Sequence, residues 1–279
     1  MREIEDGIVQ DFSSKMSYGE YLDLKTLFSA QHPRSDPEHH DELLFIVQHQ
    51  TTELWLLLTM HELRDACDQL RADKLDVAMK RLARVKHIQE TLTQQWSVLA
   101  TLTPSEYSEF RGVLASSSGF QSVTYRAVEF LLGNKHPGML KVHAADPEAH
   151  ALLQELLHKP SVYDEFLRLL ARRGLPIPDE ILQRDVSQPW QFNHDLVTVL
   201  RDVYENVQAH WDVYAALEEL VDLEDNFQFW RFRHLRTVQR TIGFKTGTGG
   251  SSGAAFLKRA LDLTFFPELY AVRTEVRDV

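Results

Sequence analysis

The hydrophobic positions of this chain repeat at helical spacing along almost its whole length. Apolar residues recur every three or four positions, and no segment shows the strict alternation of a half-buried strand. The longest patterns predict a helix from Ser35 to about Asp73, a second from about Lys74, and a third from about Ala209 to Ile242. The chain is therefore predicted to be all-α, with long helices that belong to one large domain.

Capping residues and helix breakers mark the shorter helices. A Ser, Thr or Asp oxygen in front of a helix accepts a hydrogen bond from a free backbone N–H, and glycine closes helix ends in a left-handed conformation. These signals predict helices that begin after Ser17, Thr103, Asp146 and Ser161, one that ends at Gly133, and a last pair separated near Pro267. Residues 1–16 are polar and lack periodicity, so we expect a disordered tail followed by a single domain over residues 17–279.

Composition narrows the class of protein. The chain has 279 residues, of which 43% are hydrophobic, enough for a large core, and its net charge of −11 disfavours binding to nucleic acid or anionic lipid. Cys67 is the only cysteine, so no intramolecular disulfide can form and a reducing compartment is favoured. No secretory signal and no apolar run of membrane-spanning length is present. We expect a cytoplasmic protein that binds neither nucleic acid nor membrane.

Two histidines stand among aromatic and apolar residues at helical spacing. His49 shares a helical face with Phe45, and His234 shares one with Phe227 and Trp230. Most helical histidines are structural residues satisfied by hydrogen bonds, and that interpretation stays open for each of these two. An unpartnered imidazole among apolar rings is costly, however, and coordination of haem iron would satisfy it. Because no Cys-x-x-Cys-His motif is present, any haem would be held non-covalently.

Two further features suggest binding of a small polar group. Tyr107 and Arg111 are four residues apart on a predicted helix, which fits either a surface pair or a clamp for a carboxylate. Residues 245–253 form a glycine-rich loop that carries Thr248. This loop lacks the Lys-Ser/Thr pair of a phosphate-binding P-loop and has no preceding strand, so a lid over a ligand is the better interpretation.

Other metal sites find less support in the sequence. A di-iron helix bundle needs two Glu-x-x-His motifs, and only Glu155 and His158 fit that spacing. Cys67 stands between acidic residues, which disfavours it as a thiolate ligand of haem.

Four segments closely resemble the tryptophan 2,3-dioxygenase family and occur in the family's order. They are residues 45–55 (FIVQHQTTELW), 117–122 (SSGFQS), 230–234 (WRFRH) and 242–250 (IGFKTGTGG). The resemblance extends over nearly the whole chain from Tyr18 onward and is loosest between about Lys135 and Leu200, where no residue role is carried over.

The resemblance implies an all-helical homotetramer with one non-covalent haem b per subunit. Such an enzyme inserts both atoms of O₂ across the indole C2=C3 bond of L-tryptophan and gives N-formyl-L-kynurenine, the first step of tryptophan breakdown. The resemblance implies that His234 is the proximal iron ligand and that His49 is the distal catalytic histidine, which accepts a hydrogen bond from the indole N–H. It implies that Arg111 and Tyr107 hold the substrate carboxylate, that Thr248 contacts the ammonium and carboxylate groups, and that Phe45 and Ser118 line the pocket. It also implies that Tyr18, Tyr21 and Leu22 reach into a neighbouring subunit's active site.

Two alternatives from other functional classes remain open. A bis-histidine electron-transfer protein would use His49 and His234 as both axial ligands of the haem iron. A non-catalytic sensor of haem or tryptophan would keep the same pocket and lack turnover. Both alternatives share the predicted fold, so only the site and the chemistry separate them.

Overall fold

The computed structural model describes residue 5 and residues 7–277. Within that part of the chain there are thirteen α-helices and no strand, which confirms the all-α prediction. The helices are α1 (Tyr18–Tyr21), α2 (Leu24–Phe28), α3 (His40–Arg71), α4 (Leu75–Leu99), α5 (Pro104–Phe110), α6 (Val123–Leu132), α7 (Pro147–His158), α8 (Val162–Arg172), α9 (Asp179–Leu182), α10 (His194–Glu205), α11 (Trp211–Ile242), α12 (Ala254–Ala260) and α13 (Pro267–Glu275), with short 3₁₀ turns at Arg111–Leu114, Gly119–Gln121 and Pro137–His143.

Three long helices form the centre of the molecule. α3 and α11 each have 32 residues, about 48 Å of helix, and α4 packs along both of them. The buried side of α4 follows the predicted three-to-four spacing, so its apolar stripe is the reason for this central position. Its buried residues are Leu75, Ala78, Leu82, Val85, Ile88, Gln89, Leu92, Trp96 and Leu99.

The shorter helices complete the core around this centre. α6 and α8 pack on α3, and α10 packs on α13. α5 contacts both α3 and α11. This contact matters for function because α3 carries His49, α11 carries His234, and α5 carries Tyr107.

The predicted caps form as expected. Ser17, Thr103 and Ser161 each make a reciprocal capping box with the acidic residue three positions later. The Asp146 side chain accepts from the backbone N–H of Ala149, and Gly133 ends α6 with a left-handed backbone. Side-chain oxygens thus determine where these helices begin, which is why the sequence predicts those positions well.

The predicted start of α3 at Ser35 is wrong. The Glu42 carboxylate accepts hydrogen bonds from the backbone N–H groups of Arg34 and Ser35 and from the Ser35 hydroxyl. These bonds hold residues 34–35 in a loop, and the helix starts at His40 with His39 as its N-cap. His39 is half-buried, and its Nε2 lies 2.9 Å from the Glu109 carboxylate.

The described part of the predicted N-terminal tail, residue 5 and residues 7–16, contains no helix. Residues 1–4 and residue 6 of that tail lie outside the described residues. Within the described part of the chain, no helix combines the length and the apolar composition needed to cross a bilayer.

Candidate active site

One wall of the candidate site is built by α3 and α5. Phe45 and His49 lie one helical turn apart on α3, with ring centroids 4.2 Å apart. The Phe45 ring also contacts Tyr107 at 5.8 Å and Phe110 at 5.7 Å, both on α5. This aromatic cluster packs α5 against α3 and brings Tyr107 to the same wall as His49.

The hydrogen bonding of His49 fixes which ring nitrogen carries the proton. Nδ1 lies 2.7 Å from the backbone carbonyl oxygen of Phe45, which can only accept, so we assign the proton to Nδ1. Burial lowers the pKa of His49, and the bond to Phe45 and the nearby Glu53 carboxylate only partly offset that effect. His49 is therefore a neutral imidazole whose Nε2 is free to accept a hydrogen bond.

Arg111 lies where α5 ends. Tyr107 is buried, and burial raises the pKa of its hydroxyl, although the Arg111 guanidinium acts in the opposite direction. Arg111 donates from Nη2 to the Thr246 carbonyl at 2.6 Å, and its Nε–H is buried without a hydrogen-bond partner in the described part of the chain. Arg111 thus has a free hydrogen-bond donor beside the buried Tyr107 hydroxyl. This arrangement favours a clamp for a carboxylate over a solvent-exposed surface pair.

The glycine-rich loop lies against the segment that follows α5. The Thr248 hydroxyl donates to the Ser117 carbonyl, and the Arg111 bond to Thr246 ties the same loop to α5. A Cβ atom at Gly249 would lie only 2.6 Å from Cβ of Ser118, so this close approach requires a glycine. The loop is thereby tied to Arg111 through Thr246, and to Ser117 and Ser118 through Thr248 and Gly249.

A second wall of the candidate site is formed by α11 and α4. The His234 imidazole stacks on the Trp96 indole, with centroids 4.5 Å apart and planes 7° from parallel, and Trp230 lies 5.6 Å away. Trp96 and Trp230 are buried, and within the described residues their indole N–H groups have no hydrogen-bond partner. This wall therefore presents ring surface and one imidazole.

His234 is deep in the protein but not fully enclosed. It keeps partial exposure, and burial lowers its pKa to about 4, with a smaller contribution from His49. The helices that carry the two histidines, α3 and α11, both contact α5. No hydrogen bond to the His234 ring is present in the described part of the chain, so its in-plane lone pair is available to a metal.

These features fit a haem group. The accessible imidazole of His234, which has no hydrogen-bond partner in the described residues, would hold the iron, and the indole rings of Trp96 and Trp230 would supply the apolar surface that a porphyrin needs. Among residue 5 and residues 7–277, no cluster of three or more His, Cys, Asp or Glu side chains is arranged to bind a metal ion. Glu155 and His158 of the di-iron alternative are exposed, and Glu155 pairs with Arg64 and Lys159.

The structure brings most of the proposed site residues together but not the N-terminal ones. Phe45, His49, Tyr107 and Arg111 are connected by the α3–α5 contact, and Ser118 and Thr248 by the loop. Tyr18 and Tyr21 are each 76% exposed and Leu22 is 41% exposed. Cys67 is buried, and burial raises the pKa of its thiol to about 12, which does not suit a thiolate ligand.

Trp96 could not be recognised as a candidate site residue from the sequence. It belongs to the apolar stripe of α4, where a tryptophan at helical spacing predicts core packing. No sequence signal relates Trp96 to His234, since they are on different helices 138 positions apart (234 − 96). Only the packing of α4 on α11 brings them together.

Comparisons with known proteins cover the whole of this site. The family described as tryptophan 2,3-dioxygenase matches residues 3–276. A protein named tryptophan 2,3-dioxygenase from Kineococcus radiotolerans is 66% identical over 275 residues, which is 99% of this chain and 96% of that protein. Proteins of the same name from an Arthrobacter species and Serratia proteamaculans are 66% and 58% identical, each over 99% of this chain and over 97% and 98% of their own length.

Proposed function

The chain belongs to the tryptophan 2,3-dioxygenase family, and on that premise we propose that it oxidises L-tryptophan with O₂. Both oxygen atoms are inserted across the indole C2=C3 bond, and the product is N-formyl-L-kynurenine. The observation that carries this proposal is the match over nearly the full chain, which includes all residues of the candidate site. The relatives are named as dioxygenases, which favours this activity over electron transfer or sensing.

We propose that one non-covalent haem b is bound per chain, with His234 as the protein ligand of the iron. The support is an accessible imidazole without a hydrogen-bond partner, beside the ring surfaces of Trp96 and Trp230. When bound, the haem supplies the O₂ chemistry, and the protein contributes binding, orientation and exclusion of water.

Substrate binding is assigned to α5 and the glycine-rich loop. Arg111 donates to the carboxylate of tryptophan, because its bond to the Thr246 carbonyl leaves other N–H groups of the guanidinium without a partner among the described residues. The Tyr107 hydroxyl is a further donor. Thr248 is assigned to the ammonium and carboxylate groups of the substrate. Its hydroxyl oxygen can accept from the ammonium while its proton is donated to the Ser117 carbonyl, and donation to the carboxylate requires that this bond opens. Tryptophan analogues without a carboxylate would leave the Arg111 charge unpaired, which is the physical basis of selectivity for an amino acid.

His49 is assigned to the indole ring. Its Nε2 accepts the indole N–H because Nδ1 is committed to the Phe45 carbonyl. The lowered pKa keeps the imidazole neutral, so the lone pair on Nε2 remains available at neutral pH. Phe45, at 4.2 Å from His49, lines the pocket and keeps water from this hydrogen bond.

We also propose that the active enzyme is a homotetramer in which the N-terminal segment covers a neighbour's site. α1 and α2 have no buried residue, and their apolar side chains face solvent. A stripe of exposed apolar residues on α3, Leu43, Val47, Leu54 and Leu57, likewise offers surface for another subunit. Closed symmetric assemblies are the usual way to cover such surfaces.

Replacement of the iron ligand tests this proposal. His234→Ala should lose most of its haem and its turnover, measured by the haem absorbance per chain and by formation of N-formylkynurenine. His158→Ala is the matched control, because His158 is exposed and bonds only to a backbone carbonyl. A His234→Ala protein with full haem occupancy and near-normal turnover would contradict the assignment.

The absorption spectrum of the ferrous wild-type protein separates the alternatives. A dioxygenase should be five-coordinate in that state and should bind CO readily. A six-coordinate spectrum that persists under CO would favour bis-histidine ligation by His49 and His234. Haem binding without any product from tryptophan would favour a sensor.

A further inference from the structure

The stack of Trp96 on His234 is the closest ring contact of the proposed proximal histidine. The centroids are 4.5 Å apart and the planes differ by 7°, whereas Trp230 is 5.6 Å away and tilted by 42°. Trp96 is itself held in place, since it is 5% exposed and packs against Trp230 at 5.7 Å. A rigid, buried indole therefore lies parallel to one face of the imidazole.

A metal-bound histidine usually owes its orientation to a hydrogen bond. Its second ring N–H donates to a carboxylate, a backbone carbonyl or a water, and this bond fixes both the tautomer and the ring plane. Within the described residues, His234 has no such acceptor, in contrast to His49 with its Phe45 carbonyl. The plane of the His234 ring must therefore be fixed in another way.

We propose that Trp96 is the positioning residue of His234 and takes the place of that hydrogen bond. Rotation of the imidazole about its Cβ–Cγ bond would drive a ring edge into the indole, so the stack permits one plane. A bond from either ring nitrogen to a metal lies in the plane of the imidazole, and the indole consequently determines the plane in which that bond forms. This inference rests on the proposed ligation of haem iron by His234.

The arrangement also has an electronic consequence for the histidine. A carboxylate that accepts the second N–H makes an imidazole a stronger electron donor. An indole face supplies orientation without accepting that proton, so His234 remains a neutral and comparatively weak donor. The indole thus affects the orientation of the imidazole and not its strength as an electron donor. Replacement of Trp96 should therefore change mainly the orientation of His234.

The experiment compares variants at residue 96 in the haem-loaded protein. Trp96→Leu removes the aromatic plane, Trp96→Met fills the volume with a flexible chain, and Trp96→Phe keeps a ring that can stack. Trp211→Leu is the matched control, because Trp211 is exposed at the start of α11. The readouts are the rate of haem transfer to an excess of apomyoglobin and the iron–histidine stretching band of the ferrous protein in resonance Raman spectra.

Trp96→Leu and Trp96→Met should release haem at least about ten-fold faster than wild type, which is typical of the loss of an orienting partner. Their iron–histidine band should broaden or shift, while Trp96→Phe should stay close to wild type and Trp211→Leu should not change. Wild-type haem release and an unchanged band in whichever of Trp96→Leu and Trp96→Met folds would overturn the inference. Equally fast haem release from Trp96→Phe and Trp96→Leu would also overturn it, because stacking would then not be the property that retains haem.

Failure of the proposed function would appear differently. In that case the ferrous wild-type protein would show no iron–histidine band, or a band that persists in His234→Ala. If that band is present in wild type and absent in His234→Ala, the ligation is correct, and the Trp96 variants then test the positioning role alone.

Discussion

His49 and His234 are the same residue type in two different chemical situations. His49 has one ring nitrogen bonded to a backbone carbonyl, whereas His234 has no hydrogen bond within the described part of the chain. Burial lowers the pKa of both imidazoles, so both are neutral near pH 7. This difference in hydrogen bonding supports the proposed roles of His49 at the substrate and of His234 at the iron.

The lowered pKa of His49 predicts a pH dependence of catalysis. Protonated Nε2 cannot accept the indole N–H, so kcat/KM should be constant near neutral pH and fall as the pH decreases through the His49 pKa. Because that pKa lies below its ordinary value of 6.5, the acid limb should lie below pH 6.5 as well. A pH profile of kcat/KM for the wild type and for His49→Ser measures this limb, which the variant should lack.

The substrate analogue 1-methyltryptophan, which has no indole N–H, provides the internal control. Its disadvantage relative to tryptophan should largely disappear in His49→Ser, whereas His87→Ser, a change at an exposed histidine, should behave as wild type. An unchanged preference between the two substrates in His49→Ser would show that His49 does not contact the indole.

Arg111 should dominate recognition of the amino acid backbone. Hydrogen bonds between charged groups contribute about 1.5–3 kcal/mol each, so loss of two of them in Arg111→Ala should lower kcat/KM at least a hundred-fold. Tryptamine, which lacks the carboxylate, should be a very poor substrate of the wild type, and Arg111→Ala should discriminate little between tryptamine and tryptophan. Equal reaction of both substrates with the wild type would require another role for Arg111.

At the scale of structural elements, the glycine-rich loop is held against the segment after α5 by a glycine-dependent contact. A Cβ atom at Gly249 would overlap Ser118, and overpacking of this kind costs about 1–3 kcal/mol. Gly249→Ala should therefore displace Thr248 and lower kcat/KM for tryptophan about ten-fold or more, while haem content stays unchanged. Steady-state kinetics and the haem spectrum measure the two effects.

Gly112→Ala is the control for the loop experiment. A Cβ atom at Gly112 would meet no atom within 4 Å, and its backbone lies outside the left-handed region. If Gly249→Ala retained wild-type kinetics, the contact between the loop and Ser118 would not contribute to substrate binding.

The helices also show what a sequence can predict. Local signals located α5, α6, α8 and α11 well, because caps and apolar periodicity depend on nearby residues. The start of α3 was missed because it depends on the Glu42 carboxylate, which bonds to Arg34 and Ser35. No helix was predicted between Pro189 and Ala209, although α10 lies there and buries Leu196, Val197, Leu200 and Val203.

The candidate site, like the helices, can be predicted only in part from the sequence. His49, Arg111 and His234 stand in recognisable local patterns, so their roles are inferred from the sequence and its resemblance to a family. The Thr246 carbonyl beside Arg111 and the stack of Trp96 on His234 depend on loop conformation and helix packing. Such contacts between distant parts of the chain leave no local signal.

At the scale of the whole molecule, the N-terminal segment should complete a site on another chain. Its residues Tyr18, Tyr21 and Leu22 are exposed and Ser17 caps the helix that carries them, so the segment is ordered locally but not packed. A chain that begins at Asp23 should still fold and bind haem but should bind tryptophan poorly. KM, haem content and mass by light scattering measure these properties.

Deletion of residues 1–16 alone is the control for that truncation. It keeps Ser17 and the following helix, so KM and the mass of the assembly in solution should remain as in the full chain. An active monomer with unaltered KM from the chain that begins at Asp23 would mean that the site is complete within one subunit.

A dioxygenase places both atoms of one O₂ molecule on one molecule of tryptophan. This is tested by turnover of the haem-loaded protein under heavy-isotope O₂, with the product trapped promptly and analysed by mass spectrometry. We expect N-formylkynurenine that carries two labelled oxygen atoms, and the same product from the His158→Ala control. A product with one labelled atom or none, in which water supplies the remaining oxygen, would contradict dioxygenase chemistry.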